Sequence, residues 1–430
     1  MDSTLYQLAF LFTFAVIGLA AIRRTRTVTS AEAFAVAERS LSARGVASII
    51  IGTLVGGVST IGTVQAAYTH GVSAGIFTLG SGLSCLILGL FFARALREEG
   101  VVTVSEYLGR TFGQRFRHYC SAINSLGMFI HIVGQVLAAI AVLQAVFHCG
   151  DSLAVLITML LIGVFVVCGG IGGAGLLGGI KFVMLYVIMI VCAVAALLEG
   201  GGMGAILAAL PRDIDMLGLA DYGVKGAAVD LLSVIVGVLS TQIYLQAIFA
   251  AKTVREARNG AFLSAAVIPP IGILGIVIGL HLRASHPELA ASPAQALPYF
   301  LQISFPPLVA AFFSAGLLLI VLGTGAGLVL GVTTNIYNDF LASAGWRQTR
   351  RPIRVVRLTT LAVLCAAALL VFTGLDSTIL KWSYMSMGLR GSSVFAGLVV
   401  LVLCRKIAAS PWLLTLLYLL PVAYILAALL

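Results

Sequence analysis

Charge is what this chain has least of. Only 10% of its 430 residues are Asp, Glu, Lys or Arg, while 60% are hydrophobic and the mean hydropathy is +1.10. A water-soluble surface cannot be assembled from that balance, so soluble globular and disordered classes are excluded. Paired cysteines are missing too. The seven cysteines, among them Cys85, Cys168, Cys192 and Cys365 inside apolar runs, are odd in number and dispersed, which argues against a disulfide framework or a metal site. There is no H-E-x-x-H and no carboxylate pair inside an apolar run, so no enzyme is expected. Pore-loop repeats and rings of charge, the marks of a channel, are absent as well. No polar stretch is long enough for a soluble domain, which weighs against a transporter-like sensor.

What the chain has is apolar length. A spanning helix needs roughly 20 apolar residues, and twelve such stretches lie near 4–22, 45–69, 72–97, 117–147, 152–170, 174–198, 229–250, 258–283, 304–337, 357–374, 378–404 and 411–430. Barrel strands of about 10 residues with period-two alternation are excluded. The expectation is an all-α polytopic membrane protein of about 12 transmembrane helices. The first run, Leu5 to Ile22, precedes a basic cluster and lacks a small-residue cleavage site, so it reads as an uncleaved helix.

The net charge of +10 is ordered along the chain. Of 26 Lys and Arg, 20 fall in alternate loops: Arg23, Arg24, Arg26, Arg39, Arg44; Arg94, Arg97, Arg110, Arg115, Arg117; Lys252, Arg255, Arg258; Arg347, Arg350, Arg351, Arg354, Arg357; Arg405 and Lys406. By the positive-inside rule those loops are cytoplasmic. The opposite loops carry only Arg212, Lys225, Arg283 and Lys381. The expected protein is a multi-pass monomer of a bacterial-type inner (plasma) membrane with its N-terminus outside. Its partners are the lipid bilayer and a small solute, not nucleic acid.

The chain divides into an extra N-terminal helix with a basic loop (1–44), a first five-helix repeat (45–198), an extracytoplasmic loop (199–228), a second five-helix repeat (229–404) and a C-terminal helix (405–430). Five is odd, so the two groups have opposite topology, the arithmetic of an inverted repeat with its site at mid-membrane. The first group opens on Gly52-Thr-Leu-Val-Gly-Gly-Val-Ser-Thr-Ile-Gly62, rich in glycine and hydroxyls where leucine is ordinary. Such a segment unwinds only where it lines a cavity; the alternative is that Gly56 and Gly57 permit close helix packing. The second group opens with Ser240-Thr241-Gln242 and Gln246 inside an apolar run.

From Phe34 to about Asp339 the sequence resembles the sodium/solute symporter family. Phe34-Ala-Val-Ala-Glu-Arg39-Ser40-Leu41 is similar to F-x-x-A-G-R-S-L, with Glu38 in place of glycine. Ile61-Gly62 followed by Tyr68 and Gly71, and Glu106-Tyr107-Leu108 followed by Arg110 and Phe112-Gly113, resemble two further signatures. So do Gln242-x-x-x-Gln246 with Ala250-Ala251-Lys252 and Ala257-Arg258-x-Gly260, then Ala296-Leu297-Pro298 and the segment ending in Asn338-Asp339. The resemblance implies a LeuT-type five-plus-five inverted repeat, alternating access and sodium-driven uptake. Members usually carry one more C-terminal helix, so the chain reads as one helix short of them.

In the family the shared sodium is held by two carbonyls of the first core helix and by a carbonyl and two hydroxyls of the eighth. Carried over by the matched motifs, these positions fall on Gly52 and Val55, and on Ile320, Gly323 and Thr324, so one hydroxyl is replaced by glycine. The family's acidic residue after a double glycine in the fifth core helix, counted from Gly172-Gly173, falls on Lys181. An ammonium inside the membrane costs about 2.5–3.5 kcal/mol and needs oxygen partners. Two readings are open. Lys181 occupies the vacated sodium site, as a fifth-helix lysine does in some sodium-independent amino-acid/polyamine-type transporters, or it snorkels to the headgroups. A buried lysine can release its proton, which makes proton coupling or uncoupled exchange an alternative to Na+; no organic cofactor is expected.

All 16 acidic residues fall in loops or at helix ends, Asp230 being closest to the membrane. Arg390, in Trp382-Ser-Tyr-Met-Ser-Met-Gly-Leu-Arg390-Gly391, lies midway along the last core helix without a carboxylate in sight. Either it anchors an anionic or zwitterionic solute, a carboxylate or amino acid, or it caps backbone at the Gly388/Gly391 kink or faces the cytoplasmic vestibule. His131 and Gln135 share one helix face, either lining the cavity, relaying protons or packed in the core. Family substrate contacts map by resemblance to Ser59, Thr78, Thr241 and Gln242.

Overall fold

The computed structural model of the protein describes residues 3–24, 39–211, 214–341, 352–372, 378–404 and 410–429; the side chains of 3, 20–24, 167–180, 352–353, 411 and 427–429 are outside that description. The signature at Phe34–Glu38, the glycines Gly172 and Gly173, and the basic residues Arg347, Arg350, Arg351, Arg405 and Lys406 therefore lie outside the described residues or side chains. Among the described residues the chain is helical, its one bridge of strand type being Leu41 to Ala251.

The α-helices are α1 (Ser3–Arg24), α2 (Ala43–Leu54), α3 (Thr63–His70), α4 (Ile76–Ile87), α5 (Ala93–Glu98), α6 (Val104–Phe112), α7 (Gln114–Phe147), α8 (Asp151–Glu199) and α9 (Met203–Ala208). They continue with α10 (Val224–Val238), α11 (Gln242–Phe249), α12 (Val254–Ser285), α13 (Ala296–Ser304), α14 (Pro307–Asn335), α15 (Pro352–Val371), α16 (Ile379–Arg390), α17 (Ala396–Leu403) and α18 (Pro411–Leu429). Short π-helical turns join some of them into single crossings: Val58–Gly62 before α3, Leu88–Phe92 between α4 and α5, and Gly391–Phe395 between α16 and α17.

The α8 element is one helix of 49 residues, where the hydropathy pattern predicts two. Straight, it would be about 73 Å long, more than twice the hydrocarbon core. Its two ends nevertheless lie on one face. Asp151 accepts from Gln144, the carbonyl of neighbouring Ala145 accepts from Gln302, and Ser304 of the same short helix bonds Glu199. The element therefore crosses twice, as Asp151–Val166 and Lys181–Glu199. With that, the crossings among the described residues number twelve: α1, five of the first repeat, five of the second, and α18.

Burial is inverted relative to a soluble protein. Large apolar side chains stand on the outside, such as Phe12 (71% exposed), Leu160 (70%) and Leu198 (77%), while Ser59, Thr63, Gln135, Gln242 and Arg390 are fully enclosed. Lipid receives the first set and the second can be satisfied only by other protein groups. The α14 helix is the central pillar, buried along its middle and packed on α7 and α8.

Helix ends are set by local chemistry. Thr103 accepts the Glu106 N–H (3.0 Å) and Glu106 reaches back to the Val102 N–H (3.2 Å), starting α6 with a near capping box. Thr253 does the same for α12 through the Glu256 N–H, and the Glu256 carboxylate accepts the Ala43 N–H at the head of α2. One acid thus serves two helix N-termini.

Candidate functional site

Both repeats open on a helix that breaks. The α2 helix ends at Leu54, Val55 is extended (φ −94°, ψ 103°), and helical structure resumes at Val58. The interruption releases the Gly52 and Val55 carbonyls from the N–H groups one turn ahead. Gln135 Oε1 takes the Gly57 N–H at 2.9 Å. In the second repeat the break falls between Val238 and Gln242. Asn124 spans it, donating to the Ser240 carbonyl (2.5 Å) and accepting the Gln242 N–H (3.4 Å). Both carboxamides ride on α7, so one helix caps the two breaks.

Lys181 turns inward and is 3% exposed. Its ammonium donates to the Gly52 carbonyl and, at 2.8 Å, to Thr324 Oγ1. The Thr324 hydroxyl has three carbonyls in reach: Gly52 at 3.1 Å, Val55 at 3.3 Å and Ile320 at 3.2 Å. Gly323 makes the space, since a Cβ there would stand 2.6 Å from Lys181 Cδ. Gly56 is needed on the other side, where a Cβ would stand 2.3 Å from Thr324 Oγ1. Gly52, Val55, Ile320, Gly323, Thr324 and Lys181 are thus adjacent. No ion pair reaches Lys181 among the described residues. Neutral oxygens of this kind suit a hard cation, and the ammonium occupies the place among them.

Arg390, near mid-depth, is fully buried. Nη1 donates to Ser386 Oγ at 3.0 Å and Nη2 lies 3.2 Å from His131 Nδ1. A guanidinium only donates, so Nδ1 is the acceptor and the imidazole proton belongs on Nε2. Among the described residues, that Nε2 has no partner, nor have Arg390 Nε, Gln135 Nε2 and the Ser383 hydroxyl, all on α7 or α16. Donors outnumber acceptors along this interface. A buried charge left this way is costly unless an anion completes it.

The remaining residues chosen from the sequence spend their bonds on backbone. Ser59 donates to Leu54 O (3.1 Å), Thr78 to Gly75 O (3.2 Å) and Thr241 to Gly237 O (2.5 Å). Gln242 ties the start of α11 to the segment before α6, accepting from Val104 N (3.0 Å) and donating to Val102 O (2.9 Å).

The two faces of the molecule differ. On the arginine-rich face, Leu41 exchanges backbone bonds with Ala250 and Lys252 (3.0 and 2.7 Å), Arg97 donates to Ala251 O (2.5 Å), and Arg39 to Gly100 O (2.7 Å). Asp339 accepts from Arg117 (2.8 Å) and Thr103 (2.9 Å). This face is bonded shut. On the other face a cavity of about 340 Å³ opens between α3, α10, α16 and α18, lined by Gln65, His70, Tyr222, Asp230, Tyr384 and Tyr424 among others. Apart from Asp230, which drew notice as the acid closest to the membrane, none of these carries a sequence signal. They come from five separate segments and meet only through packing.

A pocket of carbonyls at a broken helix, inside two five-helix units of opposite topology, defines a membrane transporter scaffold of the LeuT type. Within that class the chain belongs to the sodium:solute symporter family, whose model matches residues 34–417. The family's name gives sodium as its coupling ion. The chain is similar to the high-affinity choline transporter 1 of Drosophila melanogaster, 23% identical over 275 residues, which covers 61% of this chain and 44% of that protein. It is similar also to the protein of that name from Caenorhabditis elegans, 23% identical over 260 residues, 58% of this chain and 44% of that one. The chain thus spans less than half the length of these curated relatives. Among solved structures, it resembles the substrate-bound outward-open state of a Na+-coupled sialic acid symporter, with TM-score 0.78, 14% identity, 99% of this chain and 98% of that chain covered. A nucleobase-cation-symport-1 family transporter in a closed conformation with bromovinylhydantoin bound gives TM-score 0.60 and 14% identity over 91% of this chain and 83% of that one. At that identity the structures speak for the fold.

Proposed function

We propose that the protein is a secondary active transporter of a small anionic or zwitterionic organic solute, working by alternating access, in which the Lys181 ammonium takes the place of the family's sodium ion. Movement of the solute is then coupled to protons or uncoupled. The observation that carries this reading is the bonding of Lys181 to Gly52 O and Thr324 Oγ1. A cation already fixed among those oxygens competes with sodium for the same lone pairs and repels it. The arginine-rich face is assigned to the cytoplasm by the positive-inside rule, which puts the N-terminus and the 340 Å³ cavity outside. Arg390 and His131 are assigned to the anionic end of the solute, on the strength of their unpartnered donors.

Counterflow in proteoliposomes tests this, with a panel of carboxylates, amino acids, choline and sialic acid, in sodium and in potassium media. The expected result is exchange of at least one solute at similar rates in both media. Strict sodium dependence would overturn the role given to Lys181, and no exchange of any solute would overturn transport itself.

A further inference from the structure

The cavity on the face opposite the arginines holds an acid, Asp230, apart from both buried cations. Asp230 lies on α10 and is partly buried. One of its carboxylate oxygens accepts the Tyr222 hydroxyl, and no Lys, Arg or His forms an ion pair with it among the described residues. Four rings line the same cavity from four different segments. Tyr222 stands edge-to-face against His70, with centroids 5.4 Å apart, and Tyr384 stands edge-to-face against Phe77 at 6.0 Å. Tyr424 is held by its hydroxyl near the Tyr384 and Met385 carbonyls (3.5 and 3.4 Å). Ala66, Val229, Leu380 and Met385 add apolar wall, Gln65, Thr69, Ser233 and Thr378 add neutral polar groups, and Lys381, exposed at the rim, is the basic side chain lining it besides His70.

A lone carboxylate in a wall made mostly of rings and apolar side chains is ill-suited to a bare inorganic cation, which would demand several charged or carbonyl oxygens. It suits a cation that carries its own apolar surface, because aromatic rings attract positive charge while the carbon substituents bury against the wall. The volume, about 340 Å³, is that of a small-solute pocket.

We propose that this cavity is a binding site for an organic ammonium group, with Asp230 as counter-ion and Tyr222, Tyr384 and Tyr424 as its aromatic wall. The inference deepens the transport reading by giving the solute a second charge. The ammonium end is met first at Asp230, and a carboxylate end is left for Arg390 deeper in the fold. Its test is a binding measurement, so its outcome is separable from whether transport occurs.

Purified full-length protein in detergent is titrated calorimetrically with tetramethylammonium chloride, with potassium chloride as the control. Saturable binding is expected, with potassium producing none. Asp230→Asn should weaken it about tenfold or more, the loss of one charge-assisted contact. Tyr424→Leu, which leaves the carboxylate untouched, should weaken it about threefold or more; this variant keeps the test decisive should the Asp230 variant fail to purify as a single species. Lys381→Gln should leave binding intact or tighten it. Absence of saturable binding, equal affinity for potassium, or unaltered affinity in the Asp230→Asn or Tyr424→Leu protein would overturn the proposal. Binding without counterflow of any solute would leave this site standing and remove the transport reading instead.

Discussion

Among the described residues two cations, Lys181 and Arg390, are buried without a carboxylate partner, and they are treated differently. Lys181 points its ammonium into a carbonyl pocket where Gly52 O and Thr324 Oγ1 take its protons, and two glycines, Gly323 and Gly56, exist to let that contact close. Arg390 has one hydroxyl and one imidazole nitrogen for five N–H groups, with Nε unpartnered. The difference teaches how to read a buried charge: one whose hydrogen bonds are furnished by the fold belongs to the fold, and one left short of acceptors is waiting for a ligand.

The largest test of that contrast is Lys181→Met, which keeps the stem and removes the ammonium. The carbonyls then lose a charged donor, and a loss of about 2–3 kcal/mol is expected, read as a drop in thermal midpoint in potassium buffer. Sodium should now restore part of it, while the wild-type midpoint is the same in sodium and potassium. A wild-type midpoint that rises specifically with sodium would break the comparison.

Next in size is Gly323→Ser. With Lys181 present, the new Cβ falls 2.6 Å from the lysine stem, and overpacking should cost about 1–2 kcal/mol. In a Lys181→Ala background the same serine supplies the missing family hydroxyl and should cost less than about 0.5 kcal/mol, a non-additivity that a double-mutant cycle measures. Additive effects would mean that the two side chains do not share the site.

Smallest in stability is Arg390→Met. Replacing an under-bonded buried charge by an apolar chain of similar length should change stability by less than about 1 kcal/mol in either direction, yet lower the affinity for a carboxylate-bearing solute at least about tenfold. A midpoint drop as large as that of Lys181→Met would make Arg390 a structural residue.

Hydropathy made the crossings legible, because lipid imposes that constraint on each segment separately. Ordered motifs brought the ion-site positions within reach: Gly52, Val55, Ile320, Thr324 and Lys181 were chosen by spacing, and the structure sets them side by side. Their adjacency is structural and their role is the proposal. The cavity was not legible. Tyr222 precedes a span, Tyr384 and Tyr424 look like ordinary core or interface aromatics, and only the meeting of α10, α16 and α18 makes them one wall. Gln242 shows the opposite failure, since a polar residue at a helix break can serve a neighbouring loop as well as a solute.

The α7 helix has a consequence for motion. Asn124 and Gln135 lie 11 residues apart on one uninterrupted rod, about 16 Å by helical rise, and each grips the break of a different repeat. The rod therefore works as a gauge between two hinges, fixing their spacing and their relative rotation. A single inserted residue between them would turn one grip about 100° away from its hinge. Any rocking of one repeat against the other must either carry this gauge along with both hinges or release one of these two carboxamide grips.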